Sequence, residues 1–297
     1  MLKVNLYNIK MILSGKNGIN TILDNYETDI LEIFNTIEDI YTNYWQDGIS
    51  LRFKDEMIIE KSNSLKFLSC LQERKTLINY IYNSYLKIGM TIYYEKNNKM
   101  SYLNNLKNII SSLKVTENNL GNIYVSNNVY ANNNLKTSLR KLKNVRYKLN
   151  NYYIKVSNLV KQIEEIESGI KAKINSLTDY YVKTFEFNLD NLSTKSIGYA
   201  KMDVKEVTSK LNGINKYTLD EEDNLKYFIR SMDSLIENYS SENKDKLSND
   251  LVSINKYKND IVDNRIKYRK VISDVADEYS STAKNVKTSF SNNVGEV

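Results

Sequence analysis

The stretch Asn43-Tyr44-Trp45-Gln46-Asp47-Gly48-Ile49-Ser50-Leu51-Arg52-Phe53 decides how this chain is read. It holds the only Trp among 297 residues and separates two runs of helical spacing. Before it, Tyr26, Ile30, Ile33, Ile37, Ile40 and Tyr44 recur at steps of four and three; after it, Leu65, Leu68, Leu71, Ile78, Ile81 and Tyr85 do much the same. Two amphipathic helices with a Trp and a Gly between them describe a helical hairpin with an aromatic anchor at its bend. The hairpin covers about Gly18 to Gly89, and Gly89 suits a helix end.

Working outward, the polar run Glu95 to Lys99 reads as a linker. Beyond it, Leu103, Leu106, Ile110 and Leu113 begin a helix that folds back on a longer one across an Asn-rich bend, Ser126 to Asn134. The longer helix carries the strongest periodicity in the chain. Leu135, Leu142, Leu149, Val156, Ile163, Ile170 and Leu177 fall at strict seven-residue spacing, and Val145, Tyr152, Leu159 and Ile166 follow by three as the second seam position. Such a helix runs roughly 60 Å or more at 1.5 Å per residue. Gly169 within it costs about 1 kcal/mol against Ala, too little to end it.

A less regular region, Phe185 to Tyr217, precedes a second hairpin. Leu225, Phe228, Met232, Leu235 and Tyr239 form its first helix; Leu247, Leu251, Ile254, Ile261, Ile272, Val275 and Tyr279 form the second. Ser240 to Lys244 makes the bend, and the tail from Ser281 reads as frayed. Placing Trp45 over Tyr239 puts Phe53 over Leu247 and Tyr85 over Tyr279, but also Leu71 over Arg265, so periodicity alone does not settle whether the hairpins are a duplication. The expected organisation is an N-terminal hairpin at 1–95, a coiled-coil-like pair at 100–180, an irregular connection at 181–218 and a C-terminal hairpin with its tail at 219–297. The fold class is all-α: an elongated antiparallel bundle of helical hairpins with a long coiled-coil-like central helix. Pro is absent and Gly numbers 9, which agrees with long uninterrupted helices.

Composition narrows the chemistry. Histidine is absent, which removes Ser-His-Asp and Cys-His catalysis, His-ligated zinc and an imidazole switch. Cys70 is the single cysteine, so no intrachain disulfide forms, and it reads as a small semi-buried side chain. No Gly-rich phosphate loop appears. The acidic runs Glu164-Glu165-x-Glu167 and Asp220-Glu221-Glu222-Asp223 read as a solvated face and as acids just ahead of the Leu225 helix, facing its N-terminus. No catalytic, cofactor-binding or metal-ligating residue is assigned.

The net charge of +6 comes from 42 basic and 36 acidic residues that interleave along the chain. The densest basic run, Lys136, Arg140, Lys141, Lys143, Arg146 and Lys148, reads as a solvated helix face, and no nucleic-acid partner is expected. No stretch reaches 18 consecutive apolar residues, so no stable membrane span is expected. Met1 to Leu13 has Lys3 and Lys10 within its apolar run and does not read as a cleavable signal peptide.

The Trp at the bend, the nearby Gly and Phe eight residues after the Trp resemble the WxG-hairpin family of small type VII secretion substrates. The resemblance covers about residues 18–89. It implies a helix–turn–helix hairpin that pairs into a four-helix bundle, lacks catalytic residues, and leaves the cell folded through a dedicated membrane machine. Carried over, Trp45 is the anchoring aromatic, Gly48 the turn glycine and Phe53 the apolar residue that directs the second helix into the core. Departures are plain: Gly48 lies three residues after Trp45 where the family has two, and the chain is about three times the family's usual length. The family's Tyr followed four positions later by an acid is missing after the second helix, where Tyr93 and Tyr94 are followed by Asn97 and Asn98. Without the resemblance, Trp45 reads as a large side chain filling the gap where two helices turn.

The functional expectation is a non-enzymatic helical interaction protein, a type VII-like secretion substrate or its helical targeting or partner module. Its apolar helix faces take a protein partner, either itself or another hairpin. It is secreted or surface-held by a signal-peptide-independent route that engages secretion machinery. The alternative is a cytoplasmic coiled-coil scaffold of a phage or mobile element, with a helical pore-forming toxin third.

Overall fold

The computed structural model describes residues 2–89, 91–94, 96–123, 125, 127–187, 189 and 200–294. The fold is all-α, with a few very short strands that join helix ends. Strand β1 (Leu2–Asn5) leads into α1 (Leu6–Ser14) and α2 (Ile19–Asp39), whose last turn widens to π spacing over Ile40–Tyr44. Strand β2 (Trp45–Gln46) then passes to α3 (Gly48–Leu86), β3 (Thr91–Tyr94), α4 (Lys96–Gly121) and α5 (Val129–Asn175). Strand β4 (Lys201–Met202), α6 (Val204–Asn238), β5 (Tyr239–Ser240) and α7 (Lys244–Val294) complete the order.

The helices begin where side chains satisfy their free N–H groups. Asn5, Asp47, Asn128 and Asp203 cap α1, α3, α5 and α6 by accepting from Asn8, Ser50, Ala131 and Glu206 backbone N–H. Gly89, at φ +151, sits just beyond α3, as its position after the last periodic residues anticipates.

The main core is a four-helix bundle of two hairpins, α2–α3 and α6–α7. Tyr26, Ile30, Ile33, Ile37 and Ile40 on α2 are fully buried, and α2 lies along Val207, Ile214, Leu225, Phe228 and Met232 of α6. The two run antiparallel: Asp29 accepts from Asn224 and Asp39 pairs with Lys210, while Asn8 of α1 donates to Asn238 at the far end of α6. Helices α3 and α7 also run antiparallel, joined by Arg74–Asp250 and Arg265–Ser64. Between them lies the extended segment after α5. Phe185 N–H donates to Asn264, which returns a bond to Lys183 O, while Arg74 reaches Thr178 O. Tyr180, Val182, Phe185 and Phe187 point inward, while Tyr181, Lys183, Thr184 and Glu186 are exposed, so the alternation slips by one residue between Val182 and Phe185. This strap widens the α3–α7 side, and rings of Phe53, Phe67, Tyr257 and Tyr268 close on it.

Helix α4 packs on α5 alone to any extent, so α4 and the first part of α5 make a two-helix arm. Its buried Leu103, Leu106 and Val160 stand apart from the main core. The seven-residue row from Leu135 does face inward, but its companion is not the row three residues on. Val145, Tyr152 and Leu159 are exposed, and of that row only Ile166 packs against the core. The second seam position lies four residues on, at Leu139, Arg146, Tyr153, Val160, Glu167 and Ile174. Two of these six are charged, and each finds a partner: Arg146 binds Glu117 of α4 at 2.8 Å, and Glu167 meets the second hairpin.

Several boundaries differ from the sequence reading. The irregular connection expected over 181–218 is much shorter, because α6 starts at Val204. Consequently Asp220 to Asp223 lies in the middle of α6 and precedes no helix. Glu221 there is fully buried against Arg265, at 2.9 and 2.8 Å. The expected linker opens α4 from Lys96, with Glu95 outside the described residues. The Asn-rich bend is shorter than Ser126–Asn134, since α5 begins at Val129, and Ser126 lies outside the described residues. The tail continues as helix to Val294. Leu65 is exposed, and Ser64, Phe67 and Leu68 take the core face instead.

Candidate functional site

Trp45 stands at the end of the π turn in extended backbone and is completely buried. Its indole Nε1 donates to Asp47 Oδ2 at 2.8 Å, and its ring lies 5.5 Å from that of Phe53. Phe53, also fully buried, meets Phe185 and Phe187 of the strap edge-on at 6.5 and 5.6 Å. Trp45 and Phe53 therefore sit where the bend reading puts them. Gly48 does not serve as the turn glycine. It is the first residue of α3 and takes no positive φ.

Asp47 does the work expected of Gly48. Its backbone is extended, its Oδ1 accepts from Ser50 N–H at 2.7 Å, and Ser50 Oγ accepts from Asp47 N–H at 3.0 Å. That reciprocal pair is a capping box, with Ser in place of the usual Glu. Its other oxygen takes the Trp45 indole and the Tyr279 hydroxyl, the latter at 2.7 Å. One carboxylate thus holds the bend aromatic, starts α3 and ties down α7. Burial and the Asp47 charge push the Tyr279 hydroxyl well above the ordinary tyrosine range.

The second bend repeats this arrangement at the other end of the bundle. Tyr239 stands in extended backbone after α6 as Trp45 does after α2, and it too is fully buried. Tyr239 and Tyr85 both donate to Glu167, Tyr239 at 2.9 Å, and Asn243 adds a bond at 3.2 Å. The correspondence of Trp45 with Tyr239 and of Tyr279 with Tyr85 is spatial: each bend aromatic shares one carboxylate with a tyrosine of a long helix. Only the source of the acid differs, Asp47 from its own bend and Glu167 from α5.

Each bend is also clasped by the strand that opens the other hairpin. Trp45 and Gln46 pair antiparallel with Met202 and Lys201 ahead of α6, and Tyr44 O accepts from Asp203 N–H at 2.8 Å. Tyr239 and Ser240 pair with Val4 and Lys3 ahead of α1. Met202 follows Val4 by 198 positions, whereas Tyr239 follows Trp45 by 194. The four-residue difference equals the Gly15–Gly18 interruption between α1 and α2, which α6 lacks.

Glu167 borders an open cleft of about 520 Å³ with Ser168, Lys171, Ser241 and Lys246. Burial first, and the Glu167 charge second, hold the Tyr85 and Tyr239 hydroxyls far above the ordinary range, so both stay protonated donors at neutral pH. At the edge of the cleft, Tyr85, Tyr239 and Asn243 thus form a polar cluster of donors around the Glu167 carboxylate. Glu167 is no solvated surface acid, although Glu164 and Glu165 beside it are exposed. Among the described residues, no three acidic or sulfur side chains converge as a metal site requires, and no helix is long and apolar enough to cross a membrane. Cys70 is buried on α3, which raises its thiol pKa. What the sequence reading missed is the acids: Asp47, Glu167 and Glu221 each lie on or beside an apolar row, and only burial distinguishes them from solvated neighbours.

Set against protein-family models, curated proteins and solved structures, the chain matches none.

Proposed function

We propose that this chain is a non-enzymatic helical interaction protein that leaves the cell folded through a type VII-like route. The observation that carries the reading is the reciprocal packing of the two hairpins. Helices α2 and α6 cover each other's apolar faces, and each aromatic bend is clasped by the strand opening the other hairpin. A WxG-type hairpin leaves one apolar stripe open and needs a second hairpin to close it. Here one chain supplies both, which accounts for its length and for a tyrosine standing in the second bend where the first has Trp45. In this reading Trp45 and Phe53 determine the fold. Recognition by secretion machinery falls on the outer surface, because Trp45 presents nothing to solvent.

The test is immunoblotting of cells and culture supernatant from the native host and from a strain lacking the type VII ATPase. The wild-type protein is expected outside the cell only when the ATPase is present; retention in both strains overturns the proposal. Trp45→Phe, which keeps a buried ring, is expected to be exported, whereas Trp45→Ala is expected to fail through loss of the fold.

A cytoplasmic coiled-coil scaffold is the second reading, favoured by the exposed apolar row Val145, Tyr152 and Leu159 on the arm. It requires concentration-dependent self-association in sedimentation equilibrium. The first reading expects a monomer.

A further inference from the structure

We infer that the α4–α5 arm is a docking surface for an anionic lipid bilayer, on which it lies without crossing. This goes beyond the export reading and does not depend on it. Charge is the first observation. Residues 96–163 contain twelve Lys and Arg and a single acid, Glu117, while the rest of the chain has 30 basic and 35 acidic residues. Glu117 is spent within the arm, bound by Arg146 at 2.8 Å and approached by Lys143 at 3.8 Å. The mild net charge of the whole chain thus conceals a strongly basic arm on a slightly acidic body.

The second observation is where the apolar residues fall. Val145, Tyr152 and Leu159 are 49%, 50% and 40% exposed, at seven-residue spacing beside the arm's own seam. Lys141, Lys148 and Lys155, all exposed, run four residues ahead of them at the same spacing and share that side of the helix. Tyr102 of α4 stands near Tyr152, so α4 adds Tyr102 and then Ile109, 49% and 52% exposed, to the same face. At the far end of the arm Val129 and Tyr130 are 76% and 79% exposed. Aliphatic and tyrosine side chains rimmed by lysines are what an interfacial helix presents: rings and methyls enter the headgroup boundary while lysine stems reach back to the phosphates.

Charge and polarity decide the occupant. A second copy would bring another strongly basic arm against the first, which like charge opposes. A nucleic acid would satisfy the lysines but leave the Val145, Tyr152 and Leu159 row without an apolar contact. An anionic bilayer satisfies both.

The experiment is co-sedimentation of the full-length protein with phosphatidylcholine vesicles, with and without phosphatidylglycerol, and with duplex DNA as competitor. The protein is expected to pellet only with the anionic vesicles. Lys141→Glu/Lys148→Glu/Lys155→Glu should weaken that binding by about 100-fold or more. Val145→Ser/Tyr152→Ser/Leu159→Ser, which leaves the charge unchanged, should weaken it by at least about tenfold. All six positions are exposed, and unchanged helical circular dichroism checks that each variant is folded. Absence of pelleting with anionic vesicles overturns the inference. Unaltered binding by the Ser variant, together with displacement by DNA, also overturns it and makes the arm a polyanion surface.

Discussion

The Tyr279 hydroxyl donates to the Asp47 carboxylate at 2.7 Å across 232 residues of chain, on the oxygen that also accepts the Trp45 indole. One acid therefore joins the first bend, the start of α3 and the length of α7. Asp47→Ala should remove the cap, costing about 1 kcal/mol, and leave the buried Trp45 indole N–H unpaired at about 1–3 kcal/mol, with a smaller loss at the half-buried Tyr279 hydroxyl. Asp47→Asn keeps an accepting oxygen and should cost markedly less. Urea unfolding followed by fluorescence checks both, since Trp45 is the only Trp and is fully buried.

The Arg265 guanidinium is held by Glu221 and Ser64 and lies 4.9 Å from the centre of the Phe34 ring. Arg265→Met should destabilise by roughly 3–5 kcal/mol, because it leaves Glu221 charged in a dry core. Arg265→Met combined with Glu221→Leu should recover most of that loss. Denaturant midpoints of the two single variants and the double variant form the cycle that measures the coupling.

Burial, reinforced by Asp220 and Glu221, raises the Asp29 carboxyl to about 6 despite the bond from Asn224. A carboxyl raised above its unfolded value binds more protons in the folded state. Stability is thus fully present below about pH 4 on this account and declines as pH rises through about 6. Asp29→Asn should stabilise the protein by roughly 1–2 kcal/mol at pH 7.5 and by little at pH 4. Thermal unfolding of the two proteins at both pH values is the measurement.

Phe185 is buried between α3 and α7, 4.5 Å from Tyr268 and edge-on to Phe53. Phe185→Ala should cost roughly 3–5 kcal/mol. It should also release the strap before the bundle, because Tyr180 to Phe187 is tied by few backbone bonds. Hydrogen exchange is expected to quicken first at Phe185 N–H, which Asn264 protects at 2.8 Å.

Spacing along the chain is enough to read off most of the helices and their apolar rows. The steps of three and four from Tyr26 to Ile40 and from Leu225 to Met232 name side chains that are fully buried or nearly so, and the bend at Trp45 lies where the period breaks. It also points Trp45 and Phe53 at the core, whereas the correspondence of Trp45 with Tyr239, one of several that periodicity allows, is settled by the carboxylates that each shares with a distant tyrosine. Tertiary structure decided everything that depends on which neighbour covers a face. Positions three and four residues beyond Leu135 satisfy helical periodicity equally well. Only the side on which α4 lies selects Leu139 and Arg146 for the seam and leaves Val145 exposed. Asp47, Glu167 and Glu221 look like any solvated acid, because a carboxylate is buried by the arrival of partners such as Tyr279, Tyr239 and Arg265 from tens to hundreds of residues away. The strands that clasp the bends, Leu2–Asn5 and Lys201–Met202, are too short to carry a period. Local spacing records what one helix offers; burial and charge neutralisation are made between elements, and no single element contains them.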